Sequence, residues 1–257
     1  MKRTRILAVL PIYHRMAETK LCLDKLQGTD LRGLDLSVVF AVNGADDELL
    51  QYIEGVTCLR LPGVPNGAHA DRHLMLTNPG KGASVNEVVR KELAKGGALP
   101  SFILSMDSDL VSHNPKWLHN LLDGYYRASR MRRIGAVVSD QTVNCCHVPL
   151  NPISVGMGEM EIVFAEGNNG IAGGCLLTPL SVWLELGGYK AHRVYGSDDG
   201  HYMQSLHEAG YKSCIVKSCS LAHPHPRDVA YQDWKVRACR DQLADSETRG
   251  YFESTGT

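Results

Sequence analysis

Four short stretches of the chain are apolar with almost no alternation: Ile6–Ile12, Leu36–Val42, Phe102–Met106 and Ile134–Val138. A strand with one wet face alternates polar and apolar residues, whereas a nearly continuous apolar run marks a strand covered on both faces. Between these runs, apolar residues recur at helical spacing over Glu18–Leu26, Asp46–Ile53, Gly82–Ala94 and Pro115–Tyr126. Thr57–Leu61 reads as another strand, and Ser213–Val216 as a later one that follows a helical stretch, Tyr202–Ala209. Buried strands alternating with amphipathic helices predict an α/β fold with a mainly parallel central sheet flanked by helices. No repeat, low-complexity tract or change of composition interrupts the pattern, so one domain over residues 1–257 is expected.

Composition narrows the class. Hydrophobic residues at 44% and charged residues at 21% suit a globular chain with a sizeable core and exclude a disordered or fibrous one. A net charge of −1 provides no chain-wide field to recruit nucleic acid or an anionic membrane. No apolar run approaches the ~18 residues of a membrane span. The basic start Met1–Arg5 precedes Ile6–Leu10, but Pro11 interrupts that run and His14 and Arg15 follow without a small-residue cleavage site. A first strand in a cytoplasmic protein is the expectation. The eight cysteines include no Cys-x-x-Cys pair, which favours reduced, buried thiols. Cys145-Cys146-His147 is the one grouping of soft-metal ligand types.

In a parallel sheet, ligands gather beyond the carboxyl ends of the strands. The polar residues placed there are distinctive. Phe102–Met106 runs directly into Asp107-Ser108-Asp109. In an extended chain, carboxylates at i and i+2 point to the same side, where their repulsion calls for a cation. Hard oxygen donors suit Mg²⁺ or Mn²⁺. Asn78-Pro-Gly-Lys81-Gly82-Ala-Ser84-Val-Asn86 is a glycine-containing turn into a helix, a plausible cradle for phosphate. Asp198-Asp199 opens the helical stretch before Gly210, with one of the two expected as its cap, and Gly187-Gly188 reads as a helix stop. His223 and His225 alternate with prolines that fix the backbone direction.

In this order the segments resemble the GT-A glycosyltransferases, especially the family 2-like nucleotide-sugar enzymes. The resemblance runs over about residues 6–225: Ala8–Tyr13 resembles the first-strand motif, Val38–Gly44 the second strand, and Asn78–Asn86 and Asp107–Asp109 follow. Gly173 to Gly188 resembles the acceptor-side helix, Asp198-Asp199 the acidic pair, and His223 the third metal ligand. The resemblance implies a nucleotide-binding half over about residues 1–110, an acceptor and catalytic half over about 111–226, and a C-terminal tail over 227–257.

It further implies metal-dependent transfer of a sugar from a nucleotide-sugar donor to an acceptor hydroxyl. Asp107, Asp109 and His223 would hold Mn²⁺ or Mg²⁺, with Asp107 meeting either the ribose or the metal. Pro11, Tyr13, Asn43, Lys81 and Asn86 would line the donor site. Asp199 would be the base of an inverting reaction, supported by Asp198. Two other readings compete. A sugar-nucleotide nucleotidyltransferase would carry a glycine-rich basic loop after the first strand, and Pro11–Ala17 contains no glycine. A non-enzymatic sugar- or nucleic-acid-binding module would use the run Tyr125–Arg133, where aromatic and basic residues interleave. The sequence does not name an acceptor.

Overall fold

A computed structural model describes residues 3–13, 15–43, 47–56, 70–75, 79–141, 153–157, 160–165, 173–190 and 198–222. The Thr57–Leu61 strand, Cys145-Cys146-His147, His223, His225 and the tail from 227 lie outside the described residues. In chain order the elements are β1 (Thr4–Ile12), α1 (Met16–Gln27), β2 (Leu34–Asn43), α2 (Asp47–Val56), β3 (Ala70–Met75), α3 (Lys81–Ala94) and β4 (Phe102–Met106). There follow α4 (Trp117–Ser129), β5 (Ile134–Asp140), β6 (Ile153–Met157), β7 (Met160–Phe164) and β8 (Cys175–Pro179). The last three are α5 (Leu180–Leu186), α6 (Asp198–Glu208) and β9 (Lys212–Ser220).

The strands form one sheet in the order β3-β2-β1-β4-β8-β5-β9-β7-β6. β3, β2, β1 and β4 pair in parallel, as do β5 and β9. Among the described strands only β8 and β7 run against the others, so most strands of the sheet are parallel to one another. The expectation for Gly173–Gly188 is corrected here, because its first part is a turn and strand β8 and only Leu180–Leu186 is helical. Its end is as expected: Gly187 is left-handed at φ 73°, and the Gly188 amide donates back to the Trp183 carbonyl at 2.9 Å.

Burial explains why the strand runs do not alternate. On β1, Ile6, Ala8, Leu10 and Ile12 face one core while Leu7 and Val9 face the other. The first core is closed by α1, α2 and α4 through Leu23, Leu26, Leu49, Ile53, Trp117 and Leu121. The second is closed by α3, α5 and α6 through Val85, Val88, Trp183, Tyr202 and Leu206. Each such side chain contributes about 1.5–3 kcal/mol when fully buried. Cys22, Cys175, Cys214 and Cys219 are free and buried, as expected, and burial pushes the Cys175 and Cys214 thiols up to about 12. No helix among the described residues is long and apolar enough to cross a membrane.

Candidate active site

The topology brings the polar residues to one edge. β1, β2 and β4 end together at Ile12, Asn43 and Met106, and helices entering parallel strands begin at that same edge, which places the starts of α3 and α6 there. β8 runs the other way, so its beginning meets the end of β4, with Cys175 opposite Met106. Gly173 and Gly174 thereby reach the strand-end carboxylates.

Asp107 continues the alternation of Ile103, which faces the core covered by α3 and α6. Its carboxylate Oδ1 lies 2.8 Å from Lys81 Nζ at the start of α3. The same ammonium lies 3.2 Å from Asp199 Oδ1 at the start of α6 and donates to the Gly173 carbonyl at 3.1 Å. Burial works against the Lys81 charge, but Asp107 and Asp199 outweigh it and hold the ammonium well above its ordinary pKa. Burial pushes the Asp107 carboxyl up and Lys81 pulls it back, while the Asp109 and Asp199 charges add to the rise.

The glycines fit this packing. A Cβ on Gly173 would lie 2.2 Å from Asp199 Cγ, and one on Gly174 would lie 3.2 Å from Asp107 Oδ2 and 2.8 Å from Gln141 Oε1. At Gly173 the backbone approaches Asp199 more closely than any side chain permits, and at Gly174 a side chain would crowd Asp107 and collide with Gln141. Tyr189 is buried beneath them, its phenol beside Ser105 and within reach of the charges of Lys81 and Asp199.

Asp109 departs from the expected geometry. The Leu110 amide donates to the Asp107 carbonyl at 3.3 Å, so the chain turns rather than staying extended, and the two carboxylates find different cations. Arg15 donates to Asp109 at 2.7 Å and to Glu18 at 2.8 Å. The repulsion that called for a bound cation is thus partly answered by Lys81 and Arg15. At the start of α4 the acceptor is Asn114 Oδ1, which takes the Lys116 amide at 2.9 Å.

Arg15 was not legible as a site residue. It is the one non-glycine residue with positive φ among those described, at 61°. Such a left-handed conformation costs about 1–2 kcal/mol and is held only where the surroundings over-determine it. We expect Arg15→Gly to be more stable than Arg15→Ala by about 1 kcal/mol, since both lose the ion pairs but only glycine relieves the backbone. Urea denaturation midpoints check this, and equal midpoints would remove the strain argument.

The remaining expected site residues separate into two groups. Pro11 and Tyr13 lie at the end of β1 and just beyond it, at the same edge. Asn43 is buried and donates to Ser84 Oγ at 3.1 Å, which in turn donates to the Lys81 carbonyl. Asn86 is committed to packing, because it donates to the Tyr189 carbonyl at 2.7 Å and accepts from its amide at 2.9 Å. Asp198 is buried and accepts from the Gly82 amide at 2.9 Å. Among the described residues, no group of three or more His, Cys, Asp or Glu side chains is arranged to hold a metal ion.

The basic run Tyr125–Arg133 lies at the other end of the sheet. Tyr125 and Tyr126 pack edge-on against Phe102, at the start of β4. Arg127 pairs with Asp123, Arg132 covers Phe164, and Arg133 stacks 3.9 Å from the Tyr211 ring centroid and pairs with Glu185. These are the contacts of a packed helix end.

No protein-family model matches the sequence, and no curated protein matches it. Solved structures do. A mannosyltransferase from Pyrobaculum calidifontis, PcManGT in complex with GDP-Man and Mn²⁺, superposes with a TM-score of 0.63 at 15% identity, over 96% of this chain and 65% of that one. TarS of S. aureus gives 0.62 at 12% identity, over 85% of this chain and 36% of that one. GalNAc-T7 with UDP, GalNAc and Mn²⁺ gives 0.63 at 13% identity, over 86% and 44%. The chain has the GT-A fold of these glycosyltransferases. It spans less than two thirds of the length of each of the three.

Proposed function

We propose that the chain is a metal-dependent glycosyltransferase that moves a sugar from a nucleotide-sugar to an acceptor hydroxyl, with Asp199 as the base of an inverting reaction. The observation that carries this reading is the convergence of Asp107, from the nucleotide-binding half, and Asp199, from the acceptor half, on Lys81 at the carboxyl edge of the sheet. The complexes of PcManGT with GDP-Man and Mn²⁺ and of TarS 1–349 with UDP-GlcNAc support the donor class, and the former supports the ion.

The residues suit a divalent cation. Asp107 and Asp109 offer hard oxygens, and they accept from Lys81 and Arg15 respectively. Carboxylate oxygens are the donors that suit Mn²⁺ or Mg²⁺. Asp107, Asp109 and His223 would hold it. Support for His223 comes from its neighbour Ala222, which pairs with Val111, two residues past Asp109. When bound, the ion would stabilise the charge that builds on the leaving diphosphate.

The chain's own groups do the rest. Lys81, fully charged, is placed to meet a phosphate oxygen in exchange for one of its carboxylates. Pro11, Tyr13 and Asn43 line the nucleotide. Asp199 takes the proton from the acceptor hydroxyl as its oxygen bonds to the anomeric carbon and the bond to the diphosphate breaks. A thermal-shift series with nucleotide-sugars tests the reading. A donor at 100 times its Kd stabilises by about 2.7 kcal/mol, about 5–10 °C for a chain of this size. We expect that shift with Mn²⁺ and a much smaller one in EDTA. No shift with any nucleotide-sugar would overturn the proposal.

A further inference from the structure

Gly80 stands at the N-cap position of helix α3, where it has no side chain to offer as an acceptor, and the first turn carries no acidic residue. The acceptor comes from another helix, because Asp198 Oδ2 takes the Gly82 amide. Asp198 is only 5% exposed and is itself the first residue of α6, so one carboxylate serves the positive ends of two helices. The approach is tight: a Cβ on Gly82 would lie 2.8 Å from Asp198 Cγ. The flanking residues repeat the pairing, with Lys81 before Gly82 bound to Asp199 after Asp198. Asn86 and Tyr189 lock the same helix one turn further on.

We propose that Asp198 is a positioning residue: it caps α3 from α6 and thereby sets Lys81 against Asp199. The proposal rests on the reading of Asp199 as base, and it gives two adjacent aspartates separate duties. Only Asp199 would meet the reacting atoms.

The test compares Asp198→Asn, Asp198→Ala, Gly82→Ala and Asp199→Asn in the full chain. Asparagine keeps an oxygen for the Gly82 amide and alanine does not. Gly82→Ala retains the carboxylate but displaces it. One readout is amide hydrogen exchange over residues 81–84, expected to quicken about tenfold in Asp198→Ala and Gly82→Ala and to stay near wild type in Asp198→Asn. The other is release of nucleoside diphosphate from GDP-mannose or UDP-N-acetylglucosamine as the sugar passes to water in place of the acceptor hydroxyl. There kcat should fall about 10–100-fold in Asp198→Ala and Gly82→Ala, with nucleotide affinity within about threefold, because a small misplacement of a reacting group is costly. Asp198→Asn should stay within about fivefold of wild type, well above Asp199→Asn.

Unchanged exchange in Asp198→Ala would remove the cap. Faster exchange with wild-type kcat would remove the positioning role. Equal losses in Asp198→Asn and Asp199→Asn would make Asp198 a participant in the chemistry and overturn the division of duties. Normal turnover of Asp199→Asn would sink the base assignment and the positioning role with it, while the exchange readout would still decide the cap on its own.

Discussion

Asp199→Asn should bind donor within about threefold of wild type yet turn over about 10²–10⁴ times more slowly. A base acts on the acceptor hydroxyl as its proton leaves, so its loss falls on the chemical step rather than on donor binding. Asparagine keeps the shape and an oxygen for Lys81, which holds Asp199 at 3.2 Å, so the packing against Gly173 is preserved. If Asp199 served only to start α6, asparagine would be a comparable helix-start residue and the rate would hardly change. The two readings differ by orders of magnitude for one substitution. NMR of the product anomer establishes inversion, and near-wild-type turnover in an inverting reaction would remove Asp199 from the role.

The second large effect is expected at Asp109. Asp109→Ala should lower Mn²⁺ affinity, measured with GDP or UDP present, by about 100-fold or more, since even outer partners of metal ligands are worth about 10–100-fold. The fold should survive, because Asp109 sits in a turn at the sheet edge and Arg15 retains Glu18 as a partner. Calorimetric titration with circular dichroism as the folding control reads both. Unchanged metal affinity in a folded variant would leave Asp109 as no more than the partner of Arg15.

The sheet was legible where burial on both faces leaves a plain mark. Phe102–Met106 is the strand its apolar run predicts, and β1, α1, β2, α2, α3, α4 and β5 differ from expectation only at their ends, whereas β3 at Ala70–Met75 was not expected and Thr57–Leu61 lies outside the described residues. β8 was less visible: Cys175–Pro179 is short, runs antiparallel and leads straight into α5, so it reads as the front of a helix. The site was legible in its residue types rather than its contacts. Asp107, Lys81 and Asp199 stand out in the sequence, but that one ammonium joins them follows from helices α3 and α6 sharing a face of the sheet. The i, i+2 argument for Asp107 and Asp109 assumed an extended chain, and a turn forms there instead. Arg15 left no sequence signal, since it is left-handed without being glycine and one of its two carboxylate partners, Asp109, is distant in the chain. Gly173-Gly174 was readable only as part of the family resemblance, whereas its steric reason lies in two carboxylates that topology brings against it.

The most direct test of the account is to incubate the protein with Mn²⁺ and a panel that includes GDP-mannose and UDP-N-acetylglucosamine, with water standing in for the acceptor hydroxyl, and to measure the nucleoside diphosphate released as the sugar passes to water. The account predicts release from at least one donor, suppressed by EDTA and about 100-fold or more slower in Asp199→Asn. A folded protein that binds and cleaves no nucleotide-sugar, or one whose release is the same in Asp199→Asn, would contradict it.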